Sequence, residues 1–391
     1  YEISCAADGR LLDVSSGSFS NGANVQLWTR NDTGAQKWNV RQAANGCITI
    51  HNVKTGKALD VYNYGAEPGT NVQTWASSDG NTAQMFEPIP TGDGRFYLKS
   101  ACSDLYLDAD GGGGWDGANV QVYTSNQSDA QKFTFTLTSY SFTMQDVRES
   151  VDTADGSWYV TSFGGYEMSE GVRSSLQSAV DSVRADGYDA GFVMVDIKTG
   201  QGVACNPYGS FYSASTIKGP YVASIVSMDP STAWSWGATM EQTIRVSSNE
   251  GYEALRNAFG GYPMSLWCMQ AGVDPSMAST WYPYYSARDL VKLWSVNYEF
   301  FNSSANGGLA GSWYTSSWNS MIHEDLGYWY DTQTKPGWTP WSYLPATNDA
   351  GIVWAGDRPY LVAILTSVPS NFSYLHDIIW AIDGAHNEMV G

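Results

Sequence analysis

The chain has 391 residues, of which 43% are apolar, and it carries a formal net charge of −19 at pH 7. This length predicts two or three domains, and the apolar content is sufficient for packed cores. The negative charge argues against a nucleic-acid partner, because such a partner needs basic surfaces, and no apolar run reaches the roughly 18 residues of a membrane span. We also expect no cofactor and no metal, because the four histidines are scattered and the five cysteines lack zinc-ligand spacing.

The composition favours a secreted, extracellular or cell-surface protein. The chain is rich in aromatic residues and glycine, with 17 Trp, 25 Tyr and 40 Gly, which is typical of proteins that face sugars. It begins at Tyr1 rather than Met, so any export signal has been removed or was never included. The first copy of the repeat described below also starts later in its opening strand than the other copies do. We therefore expect the sequence to be a piece of a longer protein.

Residues 1–139 contain three copies of one unit, offset by 47 and 48 residues. Short β-type runs alternate with Gly, Asn and Asp turns in each copy. A unit this short cannot bury its own apolar face, so the three copies should pack around one shared core. Three markers stay in register: Leu12-Asp13-Val14, Leu59-Asp60-Val61 and Leu107-Asp108-Ala109; Asn-Val-Gln at 24, 71 and 119; and closing aromatics Trp38, Phe86 and Phe133, which we expect in the core.

These markers resemble those of the ricin-type β-trefoil, a carbohydrate-binding module. The resemblance implies an all-β domain over residues 1–139 that binds a glycan or a cell-wall polysaccharide. In each copy an Asp would take sugar hydroxyls and an aromatic ring would stack on the apolar face of the sugar. The implied carbohydrate-binding residues are Asp13, Gln26 and Trp28; Asp60, Gln73 and Trp75; and Asp108, Gln121 and Tyr123.

The same Asp and Gln residues could instead brace turns in a scaffold that binds no sugar. The residue before the closing Gln bears on which sugar would bind. It is Ala35, Ala83 or Ala130, whereas galactose-binding members often carry Asn there. One hydroxyl contact is therefore lost from every copy, which argues against galactose.

The repeat ends near Ser139 and Tyr140, and residues 140–391 follow a different pattern. Residues 139–165 show no clear period. Strands at both ends with helices between them predict an α+β domain, in which the first and last strands share one antiparallel sheet beside a helical lobe. The predicted helices are Glu170–Asp186, one from about Ser215, Tyr252–Phe259, Pro263–Ala271, Ser286–Tyr298 and Tyr374–Ala381, and the predicted strands are Ala190–Ile197, Gly202–Ala204, Ala350–Trp354 and Tyr360–Thr366.

The only Ser-x-x-Lys in the chain is Ser215 with Lys218, and it opens one of these helices. Residues three apart share a helix face, so the hydroxyl and the amine can meet. A serine is a nucleophile only with a base at hand, and a lysine is that base only when burial or positive charge keeps it neutral. The alternative is an ordinary helix start with a solvated lysine. Pro220 removes one early hydrogen bond of the helix without ending it.

Two further motifs follow in order, Ser247-Ser248-Asn249 and Lys335-Pro336-Gly337. Together with Ser-x-x-Lys they resemble the signature of the serine β-lactamase and D-Ala-D-Ala peptidase family over residues 140–391. The alternative for Ser247 and Asn249 is a simple helix cap before residues 250–255.

The resemblance implies a role for each motif residue. The nucleophile would be Ser215 and its base Lys218. A proton would pass through Ser247 to the leaving nitrogen, while Asn249 would hold the substrate amide and Lys218. A substrate carboxylate would be attracted by Lys335, whose charge would also keep Lys218 neutral. The oxyanion hole would be formed by the N–H groups of Ser215 and Trp338, and the substrate would lie against Gly337 and Thr339.

Two departures from the family pattern limit the expected activity. The stretch Met277–Tyr285 holds no acid, where the nearest β-lactamases have a Glu that activates the deacylating water. We therefore expect little β-lactamase turnover. In addition, Pro336 replaces a Thr, which removes a hydroxyl for the substrate carboxylate and a strand donor. A compensating hydroxyl could come from Thr334 or Thr339.

These observations predict a secreted serine hydrolase that acts through an acyl-enzyme on cell-wall peptide or a related D-aminoacyl amide or ester. Its trefoil would raise the local substrate concentration. One alternative is a non-catalytic lectin or adhesin with a degenerate hydrolase domain. Another is an esterase for small acyl groups.

Overall fold

The computed structural model describes residues 1–78, 80–138 and 142–391. The chain divides into two compact units, Tyr1–Phe142 and Thr143–Gly391. The predicted boundary at Ser139 and Tyr140 lies outside the described residues. Within the described ranges, no helix is both long enough and apolar enough to cross a membrane.

The first unit repeats a four-stranded pattern three times, with short 3₁₀ turns between strands. The strands are β1 Glu2–Cys5, β2 Leu11–Val14, β3 Ala23–Trp28, β4 Trp38–Gln42, β5 Ile48–Asn52, β6 Ala58–Val61, β7 Thr70–Trp75, β8 Phe86–Pro90, β9 Phe96–Ser100, β10 Tyr106–Ala109, β11 Ala118–Tyr123 and β12 Phe133–Thr136. The 3₁₀ turns are Ser15–Gly17, Gly34–Gln36, Ala44–Gly46, Tyr62–Tyr64, Thr82–Gln84, Asp110–Gly112 and Asp129–Gln131.

The core of this unit is shared by the three copies, as predicted. Each closing strand begins with a large aromatic residue, and Trp38, Phe86 and Phe133 are all fully buried in one apolar cluster. The indole of Trp38 donates to the carbonyl of Leu12 at 3.0 Å, so its one polar atom is satisfied inside the core.

A ring of three asparagines joins the copies. The side-chain amide of Asn24 donates to Asn119 at 3.0 Å, Asn119 donates to Asn71 at 2.9 Å, and Asn71 donates back to Asn24 at 2.9 Å. Each amide therefore gives one hydrogen bond and accepts one. Because each asparagine belongs to a different copy, the ring links the central hairpins of all three.

The second unit packs helices on a mainly antiparallel sheet. Its strands follow the order β13-β15-β14-β21-β20-β18, with β19 paired to β20. The strands are β13 Thr161–Phe163, β14 Ala190–Asp196, β15 Gly202–Cys205, β16 Phe211–Tyr212, β17 Tyr284–Tyr285, β18 Asp331–Thr334, β19 Gly337–Thr339, β20 Ala346–Trp354 and β21 Tyr360–Thr366. The helices are α1 Met144–Val151, α2 Glu170–Ala185, α3 Lys218–Met228, α4 Thr232–Ser235, α5 Gly237–Arg245, α6 Asn249–Phe259, α7 Tyr262–Ala271, α8 Ala287–Ser303, α9 Ala305–Ser312, α10 Met321–Leu326 and α11 Ser373–Val390, with 3₁₀ turns at Ala214–Ile217 and Pro275–Ser279.

The predicted α+β architecture is confirmed. Strands β14 and β21 pair antiparallel along their full length, from Ala190 opposite Thr366 to Asp196 opposite Tyr360. Both strands are buried throughout, since helices cover the sheet. Residues 139–165, for which the sequence pattern gave no prediction, contain regular structure. Helix α1 and strand β13 lie there, and α1 begins with a capping box made by Thr143 and Asp146.

Candidate active site

Ser215 lies in a tight turn that leads from β16 into α3. The turn Ala214–Ile217 is a 3₁₀ helix, and regular α-helix begins only at Lys218. Ala214, directly before the serine, has a φ of 45°. This left-handed backbone is costly for a residue with a Cβ and is found where a side chain must be presented at a sharp bend. Pro220 sits in the first turn of α3, where its missing N–H costs little.

The structure brings Ser215, Ser247 and Asn249 into one cleft of about 370 Å³. They come from two parts of the chain: Ser215 from the turn before α3, and Ser247 and Asn249 from the two sides of the cap of α6. The full lining consists of Tyr212, Ala214, Ser215, Val246, Ser247, Asn249, Tyr282, Trp338, Thr339, Pro340 and Trp341. The nucleophile candidate is therefore accessible from the cleft.

Lys218 is fully buried beneath this cleft, so it is not a solvated lysine. Its amine donates to Asn249 Oδ1 at 2.7 Å and to the carbonyls of Ser247 and Ser248 at 2.8 and 3.4 Å. The predicted contact with Asn249 is present. The structure records no hydrogen bond between the amine and the described hydroxyl of Ser215, so the resting amine faces its acceptors instead.

Burial lowers the pKa of Lys218 to about 7. The amine is thus poised to exchange a proton near neutral pH. The cause is desolvation, because α3 and the loop before α6 remove the amine from water. The predicted repulsion between the two amines is found at Lys335 and, because it is mutual, it acts on Lys218 in the same direction.

The three residues of the Ser-x-Asn motif have different contacts. Ser248, in the middle, is the helix cap: its side chain accepts from the N–H of Gly251 at 3.0 Å. Ser247 has a φ of 59°, which turns it away from the helix. Asn249 is left free to hold Lys218. The simple cap interpretation therefore applies to Ser248 and not to the two residues of the motif.

Lys335 lies in a break between β18 and β19, and its side chain is fully buried. The break follows from Pro336, which has no N–H to continue the ladder. The amine donates to Ser247 Oγ at 3.0 Å and to the carbonyl of Pro336 at 2.8 Å. It is not among the residues that line the cleft, and its predicted attraction of a substrate carboxylate stays a prediction. Its visible contact is with the serine hydroxyl.

The pKa of Lys335 lies well below its usual value, first through burial and then through repulsion by Lys218. The buried carboxyl of Asp349 acts in the opposite direction. Asp349 accepts from the hydroxyl of Ser320 and from the N–H of Ile322 at 2.8 and 3.1 Å, and burial raises its own pKa to about 7. The two amines and one carboxyl thus form a buried group that disfavours full protonation of both lysines.

Strand β19 lies directly against the turn that carries the nucleophile. A Cβ placed on Gly337 would stand 2.4 Å from the nitrogen of Thr216 and 2.6 Å from that of Ser215. Only glycine permits this approach. The next residue, Trp338, lines the cleft, so the predicted pair of N–H groups comes from two neighbouring segments. Asn348 braces the arrangement by donating to the carbonyl of Tyr212 at 2.9 Å.

Several aromatic residues of the cleft were not predicted as functional. The hydroxyl of Tyr282 donates to Asn249 Oδ1 at 3.3 Å, and that of Tyr285 is hydrogen-bonded to Thr216, next to the nucleophile. At the rim, Trp341 stacks on Tyr343 with an angle of 13° between the rings. The aromatic run at 281–285 was the available signal, but we used that stretch only to note its lack of an acid.

Among the described residues that line the cleft, none is Asp or Glu. Thr339 does line the cleft, whereas Thr334 is fully buried outside it, so only Thr339 can compensate for Pro336. Across the described part of the chain, no three His, Cys, Asp or Glu side chains are grouped as metal ligands.

The candidate sugar sites of the first unit share one geometry. In each copy the Asp faces the Gln of the next strand, and the Gln amide donates to it. The distances are 3.0 Å for Gln26 to Asp13, 2.9 Å for Gln73 to Asp60 and 3.0 Å for Gln121 to Asp108. Trp28, Trp75 and Tyr123 end these strands as partly exposed rings, at 37%, 42% and 41% of their surface. Burial raises the pKa of each Asp.

Comparison with known proteins agrees with the two-part organisation. Residues 1–75 and 76–162 match a family described as ricin-type beta-trefoil lectin domain-like, and residues 222–382 match the beta-lactamase enzyme family. The second match begins after Ser215 and Lys218, so the assignment of these two residues rests on the motif and its geometry. No curated protein matches the chain significantly.

Among solved structures, the designed three-fold symmetric protein ThreeFoil is 31% identical, over 34% of this chain and 95% of its own, with a TM-score of 0.34. A β-lactamase from Chitinophaga pinensis DSM 2588 is 16% identical, over 57% of this chain and 100% of its own, with a TM-score of 0.48. A class A β-lactamase from Mycobacterium abscessus is 15% identical, over 56% and 100%, with a TM-score of 0.45. The family matches establish that the chain joins a ricin-type β-trefoil lectin-like domain to a domain of the β-lactamase enzyme family.

Proposed function

We propose that the second unit is a serine hydrolase that forms an acyl-enzyme with cell-wall peptide or a related D-aminoacyl amide or ester. The observation that carries this proposal is the assembly of three distant motifs at one cleft. Ser215, Ser247 and Asn249 line it, and the amines of Lys218 and Lys335 contact the last two from beneath. A scaffold has no need to bury two lysines against each other, because burying unpaired charge costs stability.

In the first step, Ser215 Oγ attacks the acyl carbon and its proton passes to Lys218. A neutral amine has only two N–H groups, so Lys218 must give up one of its three hydrogen bonds before it can receive that proton. The longest of the three is the 3.4 Å contact with the carbonyl of Ser248. The oxyanion is held by the N–H groups of Ser215 and Trp338, which the close approach of Gly337 brings side by side.

When the tetrahedral intermediate collapses, the carbon–nitrogen bond breaks and the leaving nitrogen needs a proton. Ser247 faces the cleft and its oxygen already accepts from Lys335. We propose that the hydroxyl of Ser247 donates to the leaving group and is reprotonated by Lys335. One proton is then gained by Lys218 and one lost by Lys335, so the buried pair keeps its total charge.

Deacylation should be the slow step. The cleft offers no carboxylate to activate water, and Tyr282 occupies the position beside Asn249. Burial raises the pKa of Tyr282 to about 12, so its phenol is a poor base at neutral pH. The acyl ester on Ser215 therefore persists, which favours a peptidase-like role over efficient β-lactam hydrolysis.

The first unit would hold the enzyme to a glycan outside the cell or on its surface. Its three Asp–Gln pairs place acceptors beside exposed aromatic rings, which is the chemistry that a sugar requires. Tethering two binding modules on one chain raises the local concentration of the second ligand. This arrangement fits a substrate that is part of a polymer.

The test is covalent labelling of the intact chain by a fluorescent penicillin and, separately, by a fluorophosphonate, read by intact mass. We expect one adduct, localised to Ser215 and lost in Ser215→Ala. Labelling by the fluorophosphonate but not by penicillin would favour the small-acyl esterase. Failure of both probes would overturn the enzyme proposal in favour of a non-catalytic lectin or adhesin.

A further inference from the structure

One position of the repeat breaks the pattern shared by the three copies. Four residues after the Asp that recurs in each copy, the first copy has Gly17 and the third has Gly112, whereas the second has Tyr64. All three residues adopt left-handed backbone, with φ of 58°, 86° and 54° respectively. The backbone of this turn therefore favours glycine, and the second copy has a tyrosine there instead.

The positive φ of Tyr64 costs conformational energy, and packing of its side chain does not offset this cost. A residue with a Cβ is strained at positive φ because the Cβ approaches its own carbonyl oxygen. Burial could repay such strain, but the side chain of Tyr64 is 55% exposed, and Tyr62 in the same turn is 57% exposed. A strained and exposed aromatic residue is better explained by contact with a ligand than by stability.

The turn Tyr62–Tyr64 stands at the candidate sugar site of its copy. It begins directly after β6, which carries Asp60, and it packs against β7, which ends at Trp75. In the first copy, a Cβ on Gly17 would lie 3.1 Å from Lys54 Nζ and 3.7 Å from the Cβ of Ala35, the neighbour of the closing Gln. Tyr64 occupies the equivalent position in the second copy, where its turn packs against the turn Thr82–Gln84.

In the second copy, the Gln that faces the carboxylate is not shared with another acid. Asp60 accepts from Gln73 at 2.9 Å and from Gln84 at 3.2 Å, and the carboxylates of the other copies also interact with both of their Gln residues. Gln121 of the third copy is instead shared between Asp108 at 3.0 Å and Asp110 at 3.3 Å.

Neighbouring acids also set the second copy apart from the other two. The charges of Asp116 and Asp110 disfavour ionisation of Asp13 and Asp108, respectively, and so contribute to raising their pKa. For Asp60, the rise in pKa has no such contribution and comes from burial alone.

We propose that the second copy is the principal sugar site of the chain and that Tyr64 is a specificity-determining contact there. It offers a second aromatic face and a hydroxyl beside Trp75 to a neutral pyranose ring. This inference rests on the proposed carbohydrate binding and goes beyond it, since it ranks the three sites and adds a residue that the repeat pattern does not contain.

The experiment measures binding of the full chain to surfaces carrying lactose or N,N′-diacetylchitobiose, with Tyr64→Gly as the central variant. Tyr64→Gly restores the residue of the other copies and should weaken binding about fivefold, the size expected for one lost aromatic contact. The thermal midpoint should not fall, because the strain is relieved. A merely structural tyrosine would instead lower the midpoint and leave affinity unchanged, which would overturn the inference.

Three matched variants rank the sites. Trp75→Ala should weaken binding more than Trp28→Ala or Tyr123→Ala, and a larger loss from either of the latter would overturn the ranking. If the unaltered chain binds neither sugar surface, the proposed carbohydrate binding itself fails. If it binds but Tyr64→Gly binds equally well, only the inference about Tyr64 fails.

Discussion

The amine of Lys335 donates to the hydroxyl of Ser247 at 3.0 Å, although 88 residues separate the two in the chain. This contact ties the break in the sheet to the loop before α6. It also places a buried proton donor behind a hydroxyl that faces the cleft. In the proposed mechanism, this link matters as much as the nucleophile.

Acylation of Ser215 should depend on pH through Lys218. The pKa of this amine is lowered to about 7, so it can accept a proton above that pH and is already protonated below it. We expect the acylation rate by a fluorescent penicillin to fall about tenfold for each pH unit below 7. Lys198→Ala, at an exposed turn, should keep the profile, and a rate that stays flat from pH 5 to 9 would exclude Lys218 as the base.

Asn249→Asp should move this profile. The new carboxylate would lie where Oδ1 now accepts from Lys218 at 2.7 Å, and an opposite charge at this distance favours the protonated amine. The pKa of Lys218 rises, so the onset of acylation should move upward by about one to three pH units. Stopped-flow labelling at a series of pH values measures this shift in the onset of acylation. A profile that remains in place would mean that Asn249 does not control the amine.

Gly337→Ala should slow acylation strongly without removing the sheet. The added methyl would meet the backbone nitrogens of Ser215 and Thr216, which must shift and so disturb the oxyanion hole. We expect a loss of about 100-fold in labelling rate. The control is Gly384→Ala in α11, where a Cβ meets nothing and helix propensity improves. Equal labelling by the two variants would contradict the proposed role of Gly337.

Turnover of a chromogenic cephalosporin should be limited by deacylation. We expect one rapid equivalent of product and then a slow steady rate, because no carboxylate lines the cleft. Tyr282→Glu places an acid beside Asn249 and should accelerate the slow phase only. Rapid steady turnover by the unaltered chain would show that a water-activating group exists elsewhere.

Asn71→Ala should destabilise the first unit. The substitution removes two hydrogen bonds of the asparagine ring and leaves the amides of Asn24 and Asn119 each short of one partner. The expected cost is about 1–3 kcal/mol, measured by denaturant unfolding of the full chain. Asn39→Ala, on an exposed position of β4, is the matched control. Equal unfolding of the two variants would mean that the ring contributes nothing.

The sequence was most informative where a pattern recurs or a motif is local. The repeat placed Trp38, Phe86 and Phe133 in one core because spacing in register leaves few other arrangements. That the first and last strands share one antiparallel sheet followed from the apolar runs at both ends of the α+β pattern, whereas the direct pairing of β14 with β21 came from the structure. Ser215, Ser247 and Asn249 could be brought together only through the family resemblance, since their separation in the chain says nothing about distance.

The remaining features depend on contacts that no local pattern encodes. The burial of Lys335 follows from a strand break and from the covering helices, so its contact with Ser247 instead of solvent could not be read from Lys-Pro-Gly. Helix α1 is an exception, because a local pattern was present and was overlooked. Its buried residues Met144, Val147 and Val151 are three and four apart, and Thr143 with Asp146 caps its start. No role was predicted for Tyr282 and Tyr285, whose hydroxyls lie beside Asn249 and Thr216 in the structure.

The asparagine ring also constrains how the first unit can change over time. Its three asparagines come from three copies, and each one donates a hydrogen bond to another member of the ring. Loss of a whole copy would therefore strand two polar groups at the centre of the remaining pair, and gain of a fourth would have no place to insert. Copies of this module should accordingly multiply or disappear in sets of three, while the outer turns, such as the one that holds Tyr64, diverge independently.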